Sequence, residues 1–273
     1  HIISDGWSIG VLAKDVLSYY EHYISNTALN LSPLRIQYKD YAAWQQGQLG
    51  SDVFKSHGDF WLSQFEGELP LLDLPTNKQR PLVRTNSGRT LGTYLDSGLS
   101  SKLKAYAQSE GGSLFMVLLS SLTSIFHRYT GEFDFIIGSP TAGRDHSDLQ
   151  DQIGFYVNTL ALRNEVKEGD SFTDLFSRVK NRTLESYNHQ MYPFDRLVED
   201  LNLKRDTSRS ALFDVMLTLQ NITDNDVQLD LDESQLNEIV DYGEGITKFD
   251  LELVVREVGD CISLGVSFNP DVY

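Results

Sequence analysis

The spacing of apolar residues changes near residue 87. Before it, apolar side chains recur every three or four positions, which is the spacing of one helical face. This pattern predicts helices over residues 6–23, 38–48 and 53–65. Residues 69–87 contain three prolines with charged residues between them, and are predicted to form an extended linker.

After residue 87, short apolar or alternating stretches are interspersed with helical ones. Strands are predicted over residues 90–95, 133–138, 156–163, 212–220, 248–256 and 261–268. Helices are predicted over residues 100–109, 114–129, 171–189 and 193–201. The acidic stretch 224–244 is predicted to be an exposed hairpin or loop. Helices and strands are mixed without strict βαβ order, so the pattern predicts an α/β layered fold.

Composition limits the classes of partner. The 273 residues carry a net charge of -16, which argues against a nucleic-acid backbone or an anionic membrane as the main partner. No apolar run is long enough to span a bilayer. The single cysteine, Cys261, excludes an internal disulfide and suits a reducing cytoplasm. The histidines have no metal-ligand spacing, and no metal site is predicted.

The first residues hold the main candidate for chemistry. His1, Asp5 and Gly6 form a His-x-x-x-Asp-Gly pattern just ahead of the first predicted helix. Histidine is the side chain that most often moves a proton near neutral pH. A pattern this short also arises by chance, so the rest of the chain must decide its meaning.

Further short segments accompany this pattern in a fixed order. They are residues 38–44 (YKDYAAW), 139–144 (SPTAGR), 153–159 (IGFYVNT), 189–195 (HQMYPFD) and 205–209 (RDTSR). Their order and spacing closely resemble the condensation domains of non-ribosomal peptide synthetases. The resemblance covers nearly the whole chain and includes Leu74-Pro75-Thr76 in the predicted linker.

The resemblance implies a chloramphenicol acetyltransferase-like fold of two lobes with a tunnel between them. It assigns residues 1–87 to the end of the first lobe and the inter-lobe linker, and residues 88–273 to the second lobe. The first lobe is then incomplete. The family motif has a further histidine directly before His1, so the natural protein is expected to begin earlier, and the family's last helix is expected after residue 273.

The resemblance also implies a reaction. An acceptor amine attacks a donor thioester to form an amide. Donor and acceptor peptidyl carrier proteins bring both groups on phosphopantetheine arms, and an adenylation domain is adjacent. No cofactor is expected to be bound directly by this chain.

Roles for individual residues follow from the resemblance together with the chemistry of each side chain. His1 is expected to be a general base or a group that orients the amine. Asp5 belongs to the catalytic motif, but its expected role is structural, as the partner of a buried Arg144. Gly6 is expected at a helix start, where free N–H groups stabilise an oxyanion, although a glycine needed only for a turn fits equally well.

Three further residues are expected to face the substrate tunnel: Asn158, Thr159 and Asn221. Tyr38, Trp44 and Trp61 recur at helical spacings and are predicted to be core residues.

Some positions depart from the family pattern, and other functions stay open. Met191, Asp195 and Ser210-Ala211 stand where the family usually has aspartate, glutamate and Asn-Pro. These departures concern loop structure more than chemistry. The alternatives are epimerisation, or combined epimerisation and condensation, of a carrier-bound residue, and a fragment that docks a carrier protein without activity. Heterocyclising relatives have aspartate in place of His1, and ester-forming relatives share only the first motif.

Overall fold

The computed structural model describes residues 2–29, 31–76, 78–220 and 238–273. The helices in these ranges are α1 (Gly6–Ser25), α2 (Tyr38–Gln48), α3 (Asp52–Gln64), α4 (Ser97–Ser109), α5 (Leu114–Thr130), α6 (Ser147–Gln150), α7 (Phe172–Asn188) and α8 (Phe194–Leu201). The strands are β1 (Ser87–Leu95), β2 (Asp134–Thr141), β3 (Asn158–Glu165), β4 (Val215–Gln220), β5 (Val240–Ile246), β6 (Leu251–Val258) and β7 (Cys261–Phe268).

The strands of the described residues form one seven-stranded sheet in the order β3-β2-β4-β6-β7-β1-β5. The β2–β4 and β4–β6 pairs are parallel, and the remaining pairs are antiparallel. This mixed sheet, packed with helices, confirms the predicted α/β class. In the β2–β3 pair Thr141 lies opposite Asn158, so the loop of residues 142–157 leaves and returns at one end of the sheet.

Helix α5 forms the centre of the hydrophobic core. Ser113 caps it, with Oγ accepting a hydrogen bond from Met116 N (3.3 Å), and Gly131 ends it at φ 75°. Helices α4 and α7 flank α5 over the sheet. Trp61 of α3 packs into the same core, which therefore includes residues from both sides of residue 87.

Helix α1 turns most of its apolar side chains to the surface. The predicted helix is confirmed, but Ile9, Leu12, Val16 and Tyr19 are exposed. Two contacts near its start attach it to the segment around α6. Trp7 Nε1 donates to Gln150 O (2.8 Å), and Lys14 Nζ lies 3.1 Å from Asp151 Oδ1.

Arg163 of β3 holds the beginning of the linker. Its guanidinium donates to the main-chain oxygens of Gln64, Glu66 and Glu68 at 3.0–3.1 Å. It also pairs with Asp134 across the strand pair, at 2.7 Å. Beyond this clamp, described residues up to Asn86 contain no helix or strand, as the prolines predict.

Two predictions about these elements are corrected. Tyr38 and Trp44 were expected in the core, but α2, to which both belong, carries no buried residue: Tyr38 is half-buried and Trp44 is 44% exposed. Trp61 is 2% exposed, as predicted. Part of the acidic stretch predicted as hairpin or loop is strand β5, which pairs with β1. Residues 224–237 of that stretch lie outside the described residues.

Among the described residues, no single helix is long and apolar enough to cross a membrane. The pair α4 and α5 passes the same test of length and composition only when taken together, with a bend of 103° between them.

Candidate active site

A buried carboxylate closes the first turn of α1. Asp5 is the N-cap residue, and its Oδ1 accepts hydrogen bonds from Ser8 N (2.9 Å) and Ser8 Oγ (2.7 Å). Asp5 Oδ2 accepts another from Tyr156 N (3.0 Å). The start of α1 is therefore fixed against the loop that leads into β3.

Arg144 supplies the positive charge that faces Asp5. Its Nη2 lies 3.1 Å from Asp5 Oδ1, and the two side chains are only 1% and 3% exposed. Arg144 Nη1 donates to the main-chain oxygens of Leu149 and Gln152. The guanidinium also lies over the ring of Tyr156, 4.2 Å from its centroid. The structure thus brings together Asp5 and the arginine that was expected to pair with it.

The turn before Arg144 requires glycine. Gly143 has φ +64°, and a Cβ there would lie 2.0 Å from Tyr156 O. Gly154 is similarly confined, since its Cβ would lie 2.4 Å from Tyr38 Cδ2. Both glycines allow the loop to pass close to the surfaces that it contacts.

The electrostatics of this cluster favour fixed charges. Burial alone raises the pKa of the Asp5 carboxyl, but hydrogen bonds from Ser8 and Tyr156 and the charge of Arg144 outweigh it, so the pKa lies below its usual value. Burial raises the pKa of Tyr156 to about 12. Asp5 therefore stays ionised and Tyr156 stays neutral near pH 7, and neither group is suited to transfer a proton.

One side-chain amide fastens the segment from Gln190 to Phe194. Asn158 Nδ2 donates to Gln190 O (2.8 Å) and Tyr192 O (2.7 Å), and its Oδ1 accepts from Phe194 N (3.0 Å). Both donor hydrogens and the acceptor oxygen are engaged in these bonds. Asn158 thus positions backbone at this point.

A histidine pair supports the same segment from behind. His189 Nδ1 lies 2.8 Å from His57 Nδ1 of α3, and the His189 ring stacks on Phe60 with centroids 3.9 Å apart. His189 O accepts a hydrogen bond from Trp61 Nε1 (2.9 Å). Burial lowers the pKa of His189, and His57 lowers it further. A hydrogen bond between the two nitrogens needs at least one neutral ring.

Tyr156, Asn158 and the segment that Asn158 holds border a cavity of about 680 Å³, within the range of small-molecule sites. One wall is α2, with Tyr38, Tyr41 and Trp44. The other walls are residues 155–159 and, from the two neighbouring segments, Gly143, Asp145, His146, Asp148, Leu149, Gln190, Met191, Pro193, Phe194 and Asp195. Because Tyr156 also contacts Asp5, the cavity lies next to the first turn of α1.

The predicted site residues fall into separate places. Asn158 and Thr159 border the cavity. Gly6 is the exposed first residue of α1, and a Cβ there would meet no atom within 4 Å. His1 and Asn221 lie outside the described residues.

Several residues with a clear part in this geometry were given no role from the sequence. Ser8 follows Asp5 by three residues, which is the spacing of a helix cap and could have indicated it. Tyr156, Gln190 and Asp145 offer no such local pattern. In the described part of the chain, no three His, Cys, Asp or Glu side chains are placed to hold a metal ion.

Comparison with known families gives a match over the whole chain. The family model described as "Condensation domain" matches residues 1–273.

Individual relatives agree with this match. Surfactin synthase subunit 1 of Bacillus subtilis (strain 168) is 40% identical over all of this chain, and bacitracin synthase 1 of Bacillus licheniformis is 38% identical over all of it. The chain spans only 7% and 5% of their respective lengths. The crystal structure of a four-domain nonribosomal peptide synthetase bound to AMP and glycine has the same fold, with a TM-score of 0.83 and 23% identity over 98% of this chain and 21% of that one.

Proposed function

The chain belongs to the condensation domain family, and from this membership we propose that it forms amide bonds between carrier-bound thioesters. The amine nitrogen of an acceptor aminoacyl thioester attacks the carbonyl carbon of a donor aminoacyl or peptidyl thioester. The donor carbon–sulfur bond breaks, and the proton lost by nitrogen ends on the departing thiolate. The acceptor then carries the lengthened chain.

The match to the condensation domain family over residues 1–273 carries this proposal, and the buried Asp5–Arg144 pair near the cavity supports the roles of the motif residues. A carboxylate that is ionised and 3% exposed cannot meet a substrate, so its function is to hold the chain around it. His1 stands four residues before Asp5. We therefore assign Asp5 and Arg144 as positioning residues, and His1 as the general base or the group that orients the amine.

The acidity of the reacting amine limits what His1 has to contribute. An α-amino group has a pKa near roughly 7.7–8.0, so deprotonation before attack costs only about 1 kcal/mol at pH 7. Orientation of two reactants contributes several times more than this in well-ordered sites. In this proposal, positioning by His1 therefore contributes more than proton removal. Gly6, at the start of α1, offers its N–H to the oxyanion.

The partners in this proposal are donor and acceptor peptidyl carrier proteins, with an adjacent adenylation domain. Their phosphopantetheine arms carry the thioesters, so the cofactor belongs to the partners. Residues 1–87 are assigned to the end of a first lobe and the linker, and residues 88–273 to a second lobe. Asn158, Thr159 and Asn221 are assigned to the substrate tunnel between the lobes, Asn158 through the backbone that it holds.

Mass spectrometry of the carriers tests the proposal. The condensation domain, within the natural protein that contains it, is incubated with a donor and an acceptor carrier protein, each loaded with an aminoacyl thioester. We expect the acceptor to gain the mass of the donor acyl group, and His1→Ala to slow this gain by no more than roughly 10⁴-fold. Unchanged mass with inverted stereochemistry indicates epimerisation. Unchanged mass and stereochemistry, with carrier binding, indicates docking alone; either result overturns amide formation.

A further inference from the structure

Aromatic rings form a continuous surface along one side of the cavity. Tyr41 is at its centre, with ring centroids 5.8 Å from Trp44, 6.2 Å from Tyr38 and 4.7 Å from Tyr156. The faces of such rings carry partial negative charge and attract cations. An apolar chain that ends in a positive group is suited to this surface.

A carboxylate at the rim is held in a fixed orientation. Asp145 Oδ1 accepts a hydrogen bond from Gln190 Nε2 (3.0 Å), and Gln190 Oε1 accepts one from Thr141 Oγ1 (2.6 Å). Because an ionised carboxylate only accepts, the Gln190 amide turns its NH₂ end toward Asp145, and the Thr141 hydroxyl donates to the other end. Asp145 is therefore oriented before any ligand arrives.

Asp145 has no counter-charge in the described part of the chain. Other carboxylates around the cavity are engaged: Asp40 accepts from Gln37 N (2.8 Å), and Asp148 lies 3.4 Å from Arg35 Nη1. Asp195 occupies the first turn of α8, where the helix favours negative charge. By contrast, no basic side chain of the described residues lies within ion-pair distance of Asp145, and the protein around it raises its pKa by displacing water.

The charge of the cavity selects against anions. Its described lining includes four aspartates and one histidine, and no lysine or arginine. A phosphate or carboxylate group is repelled by this arrangement, whereas an ammonium group is attracted.

From these observations we propose that the cavity binds the basic side chain of an aminoacyl substrate, a primary ammonium on an aliphatic chain. The ammonium lies between Asp145 and the rings of Tyr41 and Trp44, and the aliphatic part lies along Met191 and Phe194. This inference rests on the proposed function for the identity of the substrate as an aminoacyl group. The reacting α-amine is excluded, because it must be neutral to attack, whereas a carboxylate and aromatic faces stabilise its protonated form.

Calorimetric titration of the 273-residue chain with three probes tests the inference without turnover. Nα-acetyl-L-ornithine N-methylamide carries its charge on the side chain, L-norvaline N-methylamide carries it on the α-nitrogen, and Nα-acetyl-L-norvaline N-methylamide is neutral. We expect the ornithine probe to bind about tenfold more tightly than both others. Equal binding of the three, or preference for the α-charged probe, overturns the inference.

Variants identify the carboxylate responsible. Asp145→Asn is expected to abolish the preference, and Asp145→Glu to restore part of it, which separates loss of charge from loss of folding. Asp151→Asn is the matched control, since Asp151 is an exposed aspartate outside the cavity, paired with Lys14. A preference that survives Asp145→Asn contradicts the assignment. The titration measures binding and no reaction, so its result is independent of the mass-spectrometric assay. Selective binding without amide formation counts against the proposed function alone. Amide formation without selective binding counts against this inference alone.

Discussion

Substitution of Asp5 by asparagine isolates the ion pair at the start of α1. The new side chain keeps an oxygen that can cap Ser8, but its NH₂ group then faces Tyr156 N, which is also a donor. The charge of Arg144 is then unpaired at a position that is 1% exposed. Removal of one partner from a buried ion pair typically costs about 3–5 kcal/mol. We expect Asp5→Asn to lower the free energy of unfolding by this amount.

Urea unfolding followed by tryptophan fluorescence measures this loss, because Trp7 lies beside Arg144, with the guanidinium 5.9 Å from its ring centroid. The control is Asp151→Asn. Asp151 pairs with Lys14 and so links α1 to the loop of residues 142–157, which also holds Arg144, but these side chains are 66% and 63% exposed. Exposed pairs contribute roughly 0–1 kcal/mol, so the control is expected to unfold close to the wild-type midpoint.

A double-mutant cycle and the pH dependence complete the test. If the charges compensate one another, Arg144→Met together with Asp5→Asn costs less than the sum of the single losses, by about 0.5–3 kcal/mol. Since the folded pKa of Asp5 is lowered, its contribution is full above the usual aspartate pKa and is lost as pH falls through the folded value. An Asp5→Asn loss below about 1 kcal/mol, with zero coupling, refutes this reasoning. Normal stability with abolished amide formation would instead place Asp5 in the chemistry.

Three further substitutions test other parts of the site by urea unfolding. Gly143→Ala should lower the free energy of unfolding by more than about 1–3 kcal/mol, because Gly143 combines a positive φ with a backbone clash for any Cβ. Gly169→Ala is the control, since Gly169 has φ +82° but open space around it. An equal loss in the two variants contradicts this prediction. Because the pKa of His189 is lowered in the folded protein, protonation favours the unfolded chain, and the wild type should lose stability as pH falls below 6.5. His189→Gln should reduce this dependence of the free energy of unfolding on pH. An unchanged dependence refutes the prediction. Arg163→Lys should lower the midpoint of urea unfolding, since one ammonium cannot replace a guanidinium that donates to three main-chain carbonyls. An unchanged midpoint means that these three hydrogen bonds do not contribute to stability.

Local patterns predicted the elements whose limits are set by neighbouring residues. Helix α5 begins after Ser113 and ends at Gly131, and both caps can be recognised in the sequence. The order of strands could not be predicted in this way, because β4 is placed between β2 and β6 by contacts far apart in the chain. The exposure of the apolar side chains of α1 could not be predicted either. Apolar spacing shows which residues share a face of the helix, but not whether another element covers that face.

The candidate site shows the same division. A buried arginine was expected as the partner of Asp5, with Arg144 as the candidate, and the structure brings the two side chains together. The part of Asn158 in holding residues 190–194 depends on contact between the start of β3 and the segment that leads into α8, which meet only in the folded chain. The orientation of Asp145 by Gln190 has the same origin, and no spacing along the sequence contains it.

Asn158 holds the backbone of one cavity wall and leaves the side chains of that wall free to differ. Its three hydrogen bonds end on main-chain atoms, and none involves the side chain of Met191, which lines the same wall. Substitution of Met191 changes the shape of the cavity, while the hydrogen bonds of Asn158 keep the backbone in place. Single replacements at this position can therefore change which molecules fit the cavity without altering the backbone around it.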